Sequence, residues 1–118
     1  MLKDKSAQNL QAGEILAAAG LVDASAGRYY YAMYQAAVHR LTAIGLSPGR
    51  LESGAVQWNH AMVANNVLLV RKRRSDRDLY AALRSMREYA DYDEESIVPS
   101  DLAGYVGAVR QFVEEATR

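Results

Sequence analysis

The amino-acid sequence predicts an all-α protein: an up-and-down bundle of about five helices, forming one domain over residues 1–118. Three observations predict it. Apolar residues recur at three- and four-residue intervals along most of the chain, the period of a helix face. There are only two prolines and eight glycines, and both prolines fall in short breaks, GLSPGR and IVPSD. Alternation of apolar and polar residues is never sustained, and the one β-prone run, NNVLLV, is too short to matter. A chain of this length buries roughly two-thirds of its unfolded surface, enough for a core without covalent staples.

The first helix is expected from Ser6 to Ala19, stopped by Gly20 in the position that favours a left-handed backbone. The second runs from Val22 to Ile44 and ends at Gly45. On it Tyr30, Met33, Tyr34, Ala37, Leu41 and Ile44 form one stripe, with Tyr29, Ala32, Ala36 and Ala43 on a neighbouring face of mostly small residues. Two such faces place this helix at the centre of the bundle, or between the bundle and a partner.

The third helix is expected from Ser53 to Val70, with Trp58, Asn59 and His60 near its beginning and Gly54 weakening its start. The fourth spans Asp76 to Asp91, capped by Ser75, with Leu79, Leu83, Met86 and Ala90 toward the core and Ala82 and Tyr89 beside them. Tyr80, Arg84, Arg87 and Asp91 follow one another at helical spacing on another side, where Arg84 can pair with Glu88 and Arg87 with Asp91. The last helix spans Asp101 to Thr117, capped by Ser100, with Tyr105, Val109, Phe112, Val113 and Ala116 as its apolar stripe. Gly104 and Gly107 are read there as marks of a close helix crossing.

Composition removes several function classes. With no cysteine, disulfides, thiolate metal sites and cysteine nucleophiles are excluded. The two histidines, His39 and His60, have no carboxylate at ligand spacing, so no metal site and no cofactor are expected. Neither a glycine-rich phosphate loop nor a serine nucleophile elbow occurs. Lys plus Arg and Asp plus Glu both number 14, so any nucleic-acid contact has to come from a local patch. The longest apolar stretch near the start, Ile15 to Ala19, is too short for a secretory signal, and no stretch is long enough to span a bilayer. A cytoplasmic protein with no membrane association is expected.

Two constellations can carry chemistry. The run Arg71, Lys72, Arg73, Arg74, joined by Arg77, reads as a phosphate-facing patch, as a solvated loop balanced by Asp91, Asp93, Glu94 and Glu95, or as one half of a contact between those two runs across a dimer or a cognate partner. Arg84, Arg87, Tyr89, Asp91 and Tyr92 are the densest polar group; two guanidiniums and a carboxylate can bind a phosphate and orient a hydroxyl, or simply form an ion-pair network. Tyr29, Tyr30, Tyr31 and Tyr34 can stack on bases, although tyrosines at helical spacing more often serve core and interface packing.

A family pattern runs through these segments. AGRYYYAMYQAAVHRL is similar to the second helix of HEPN domains, and LYAALRSMREYADYDEESIVPSDLAGYVGAVRQFV resembles their C-terminal half, with an ADY before an acidic loop and a final helix. His60 stands where small HEPN proteins carry a His at the start of the third helix. The resemblance covers nearly the whole chain from ILAAAG onward. It implies a homodimeric helical bundle of toxin–antitoxin or antiviral defence modules, with a minimal nucleotidyltransferase or another defence effector as partner. Active members are metal-independent endoribonucleases that use an Arg followed by His after four to six residues: Arg stabilises charge on the phosphate and His handles the proton of the attacking RNA 2′-hydroxyl.

Here no Arg is followed by His at that spacing; counting across four residues leads from Arg84 to Tyr89 and from Arg87 to Tyr92. Tyrosine titrates near pH 10 and is a poor proton acceptor at neutral pH. The resemblance therefore implies an interaction module without robust nuclease activity, the alternative being a divergent ribonuclease acting on RNA. In that alternative Arg84 and Arg87 clamp phosphate, Tyr92 or His60 relays the proton, Asp91 contributes to binding, and Arg71, Lys72, Arg73 and Arg74 bring in the RNA.

Overall fold

The computed structural model describes residues 1–50, 53 and 56–118. Among them the architecture is all-helical, apart from a two-residue antiparallel pairing. The elements are α1 (Leu2–Ala18), α2 (Val22–Ala43), β1 (Gly49–Arg50), β2 (Val56–Gln57), α3 (His60–Asn66), α4 (Leu68–Arg71), α5 (Ser75–Tyr92) and α6 (Pro99–Ala116).

Helix α2 is the axis of the molecule, and α1, α3, α4, α5 and α6 all pack on it. Tyr29, Tyr30, Ala32, Met33, Ala36, Ala37 and Leu41 on α2 are at most 1% exposed, so both of its apolar faces are covered. Ile44 and Ala43, expected on those faces, lie at the C-terminal end of the helix and are exposed. The small face receives α1 at close range. Buried Gly13 lies against the Tyr29 ring, where an added Cβ would come within 3.0 Å of Cε2, and the Ser25 hydroxyl donates to the Gly13 carbonyl at 2.6 Å. Farther along the same seam Asn9 donates to Gln35 at 2.8 Å and accepts from Arg28 at 3.1 Å, so α1 and α2 run antiparallel. Gly13→Leu is expected to overpack this contact and cost about 1–3 kcal/mol, read as a lower urea midpoint.

Both helix ends predicted at glycine use the same device. Gly20 (φ 80°) and Gly45 (φ 94°) adopt the left-handed conformation after α1 and α2. Leu21 N–H then bonds Leu16 O at 2.9 Å, and Leu46 N–H bonds Leu41 O at 3.0 Å, satisfying carbonyls left over at each terminus.

Four local expectations are corrected. The third helix begins at His60, capped by Asn59, whose side chain accepts from Met62 N–H at 2.8 Å. Of the earlier start expected for it, Ser53 lies in a turn, and Gly54 lies outside the described residues. That helix is also broken at Val67: the Asn66 amide donates to the Met62 carbonyl at 2.7 Å, and the chain tightens to a Val70 N–H to Val67 O bond. Neither Ser75 nor Ser100 is a cap. Helix α5 starts from Arg74 through tight bonds to Arg73 O and Arg74 O, and α6 starts from Val98 with Pro99 in its first turn, where a missing N–H is harmless. Finally, Gly104 and Gly107 are exposed, and a Cβ on either would meet nothing within 4 Å. They lie off the stripe of Leu102, Val109, Phe112, Val113 and Ala116 that α6 buries, so they mark no helix crossing.

One buried ion-pair network ties the start of α5 to the end of α6. Asp76 accepts from Arg71 at 2.9 Å through both oxygens, and Arg71 also reaches Glu115 at 2.5 Å, with its guanidinium 5.3 Å from the Phe112 ring centre.

Candidate functional site

The polar stripe of α5 meets the aromatic stripe of α2 and the first residue of α3. Tyr30 (α2) and Tyr80 (α5) are almost fully buried and share a hydroxyl–hydroxyl bond of 2.8 Å, and the Tyr30 hydroxyl also bonds His60 Nδ1. The Arg87 guanidinium lies over the Tyr31 ring at 5.0 Å and the Tyr30 ring at 5.5 Å. Tyr34 packs on the His60 ring, with centres 5.2 Å apart, and its hydroxyl donates to the Trp58 carbonyl at 2.5 Å. That bond, together with the Asn59 cap, fixes the chain that delivers His60.

The directions of the hydrogen bonds follow from counting protons. Burial, then its hydrogen bond to Tyr30, pushes the Tyr80 phenol far above its ordinary value; burial likewise raises Tyr30. Both are therefore protonated at neutral pH. If Tyr80 donates to Tyr30 and Tyr30 donates to His60 Nδ1, every buried proton has an acceptor. That arrangement keeps every proton inside the cluster, whereas the reverse would turn the Tyr80 proton toward the groove that Tyr80 lines. Burial, followed by the charges of Arg84 and Arg87, pushes His60 below its ordinary value, against an opposing Glu88. His60 is thus neutral, and in the arrangement that keeps every proton inside the cluster it accepts at Nδ1 and carries its proton on Nε2.

Since its folded value is depressed, His60 contributes stability that is complete above its unfolded value near pH 6.5 and is lost as pH falls toward the folded value. Urea unfolding between pH 5 and pH 8 is expected to show this decline, and His60→Gln to flatten it.

Arg84 and Arg87 are partly exposed, with side chains 39% and 25% accessible. Their links to Glu88 (3.4 Å) and Asp91 (3.7 Å) are solvated pairs that contribute little, so both guanidiniums remain able to take an anion. A groove flanks each. One, of about 330 Å³, is lined by Asn65, Arg77, Tyr80, Arg84 and Ser85 among others; the second, of about 450 Å³, by Asp23, Arg28, Tyr31, Arg87 and Asp91.

Of the residues singled out in the sequence, the fold sets Arg84 and Arg87 near enough for their charges to act on His60, each beside its own groove, and sets Asp91 at the edge of the second groove. Tyr92 is not with them. Five residues beyond Arg87 is about 140° around a helix, and Tyr92 lies 84% exposed, away from His60's partners Tyr30 and Tyr80 on the buried side. The basic run is also divided. Arg71 is turned inward onto Asp76 and Glu115, and Arg73 is 3.6 Å from Glu115, while Lys72 and Arg74 are exposed. Within the chain, Arg71 and Arg73 are therefore answered by Asp76 and Glu115.

Tyr30 and Tyr80 were not read as site residues. The spacing of Tyr80, Arg84 and Arg87 on one stripe pointed to Tyr80, whereas Tyr30 was singled out only as one of four tyrosines able to stack on bases. Among the described residues no three His, Asp or Glu side chains converge as a metal site, and no helix is long and apolar enough to cross a membrane. No family model, curated protein or solved structure matches the chain.

Proposed function

We propose that this chain is a HEPN-like interaction module of a toxin–antitoxin or defence pair. It acts as a homodimer that engages a minimal nucleotidyltransferase or defence effector. Its Arg84, Arg87 and His60 hold a phosphate-bearing ligand without cutting RNA at an appreciable rate. The observation that carries this reading is the hydrogen-bond chain from Tyr80 through Tyr30 to His60 Nδ1. Attack by a 2′-hydroxyl needs a proton acceptor. In the arrangement that keeps every proton inside the cluster, the accepting nitrogen of His60 is engaged by Tyr30 and the other carries a proton, so His60 presents a donor beside two guanidiniums paired with the solvated carboxylates of Glu88 and Asp91. That is the chemistry of holding an anion.

The second reading, a divergent metal-independent ribonuclease, is favoured by one observation: His60 lies beside Arg84 and Arg87 although the sequence lacks the motif spacing. One experiment separates the two. A 5′-labelled oligoribonucleotide, incubated with purified protein and a chelator, is expected to bind saturably and stay intact. Scission abolished by His60→Ala would establish the nuclease instead. The module reading also requires co-purification, in fixed ratio, with the product of the neighbouring reading frame. Failure of the two to associate overturns it.

A further inference from the structure

The outward face of α5 has a pattern with twofold character. Ala81 and Ser85 are its exposed midpoint, small enough to let another helix approach to about 8–10 Å. Reflecting residue positions about Leu83, the buried centre of this helix, sets Arg74 level with Tyr92 and places Arg77 and Asp78 one residue, about 1.5 Å, from the levels of Glu88 and Tyr89, all of them exposed. At 100° per residue, Arg77 and Glu88 lean to one side of the face and Asp78 and Tyr89 to the other. Two copies of α5 laid antiparallel across a twofold axis therefore bring Arg77 of each against Glu88 of its partner, Asp78 against the Tyr89 hydroxyl, and Arg74 against the Tyr92 ring.

Charge points the same way. The start of α5 follows exposed Lys72, Arg73 and Arg74, whereas its last turn has no basic residue and runs into exposed Asp93, Glu94 and Glu95. Carboxylates at a helix C-terminus oppose the helix dipole, so this arrangement is unfavourable within one chain. An antiparallel copy supplies the missing cations at each end, while a parallel copy would place like charges together. It also covers Tyr92, the most exposed aromatic side chain described, at 84%.

We infer that the outward face of α5 is the surface on which a second copy of this chain docks, antiparallel, about the Ala81–Ser85 midpoint. This specifies the face of the homodimer in the proposed function and rests on that part of it. The groove beside Arg84 is also lined by Arg77, Ala81, Ser85 and Glu88, so the second copy closes its outer side.

Sedimentation equilibrium of the full chain tests the assignment. The wild type is expected to be a dimer whose dissociation constant rises with salt. Arg77→Glu and Glu88→Arg are each expected to weaken it about tenfold or more, with unchanged helical circular dichroism. Combining both substitutions in one chain reverses each cross-axis pair and is expected to restore the dimer, which a folding defect would not do. Single variants as dimeric as the wild type, or a double variant without rescue, overturn this face and leave the homodimer standing. A wild type monomeric at tens of micromolar overturns both, and oligoribonucleotide binding is scored separately.

Discussion

Asp76→Ala is expected to destabilise the protein by about 3–5 kcal/mol, the usual cost of removing one side of a buried ion pair. The Asp76 side chain is 1% exposed and answers Arg71, itself 10% exposed, through both carboxylate oxygens. Without it the Arg71 guanidinium keeps only Glu115, whose side chain is 22% exposed, and the face of Phe112. Desolvation of the cation is then uncompensated, and the junction of α4, α5 and α6 loosens. A fall in melting temperature of about 10–20 °C corresponds to this loss. A joint replacement, Arg71→Met with Asp76→Leu, is expected to recover much of it, since buried pairs are commonly replaceable by apolar groups of similar volume. An Asp76→Ala protein that melts with the wild type would show that this network does not hold the junction.

The second large effect falls on ligand binding. Arg84→Ala and Arg87→Ala are each expected to reduce oligoribonucleotide affinity about 10- to 100-fold, the range of one charge-assisted hydrogen bond. The two losses are not expected to add fully, because in the proposed site both side chains serve one anion. Stability should change little in Arg84→Ala, whose ion pair is with a solvated carboxylate on its own helix, and by about 0.5–1 kcal/mol in Arg87→Ala, which also loses its place over the Tyr31 and Tyr30 rings. Arg87→Lys distinguishes charge from shape: it keeps the cation but loses the planar group lying over Tyr31 and Tyr30, so recovery is expected to be partial. Removing either arginine also takes a positive charge from beside His60, and its titration followed by NMR should move upward. Unchanged affinity in both alanine variants would remove the cluster from any binding role.

The helices were legible because they depend on local rules. The 3.6-residue repeat located α2 and its two apolar faces, and Gly20 and Gly45 marked two ends through the one backbone conformation that favours glycine. Serine caps were misread at Ser75 and Ser100 because many residues can open a helix, and tight turns or Pro99 did so here. Arg84, Arg87 and Asp91 were legible as a group because three- and four-residue spacing on one helix settles their side. Tyr92 was included by counting along the chain, whereas rotation about the helix carries it elsewhere.

The order of the helices, their periodicity and the side of α5 that gathers its arginines were decided by short-range sequence, since backbone geometry ties each residue to neighbours three and four positions away. Which arginine of the basic run is buried, and that Tyr30 reaches His60 and Tyr80 across 30 and 50 residues, depended on packing between helices. Contacts at that separation obey no fixed spacing. They arise only when several faces are desolvated together and each buried proton and charge must find a mate among whatever the neighbouring helices present.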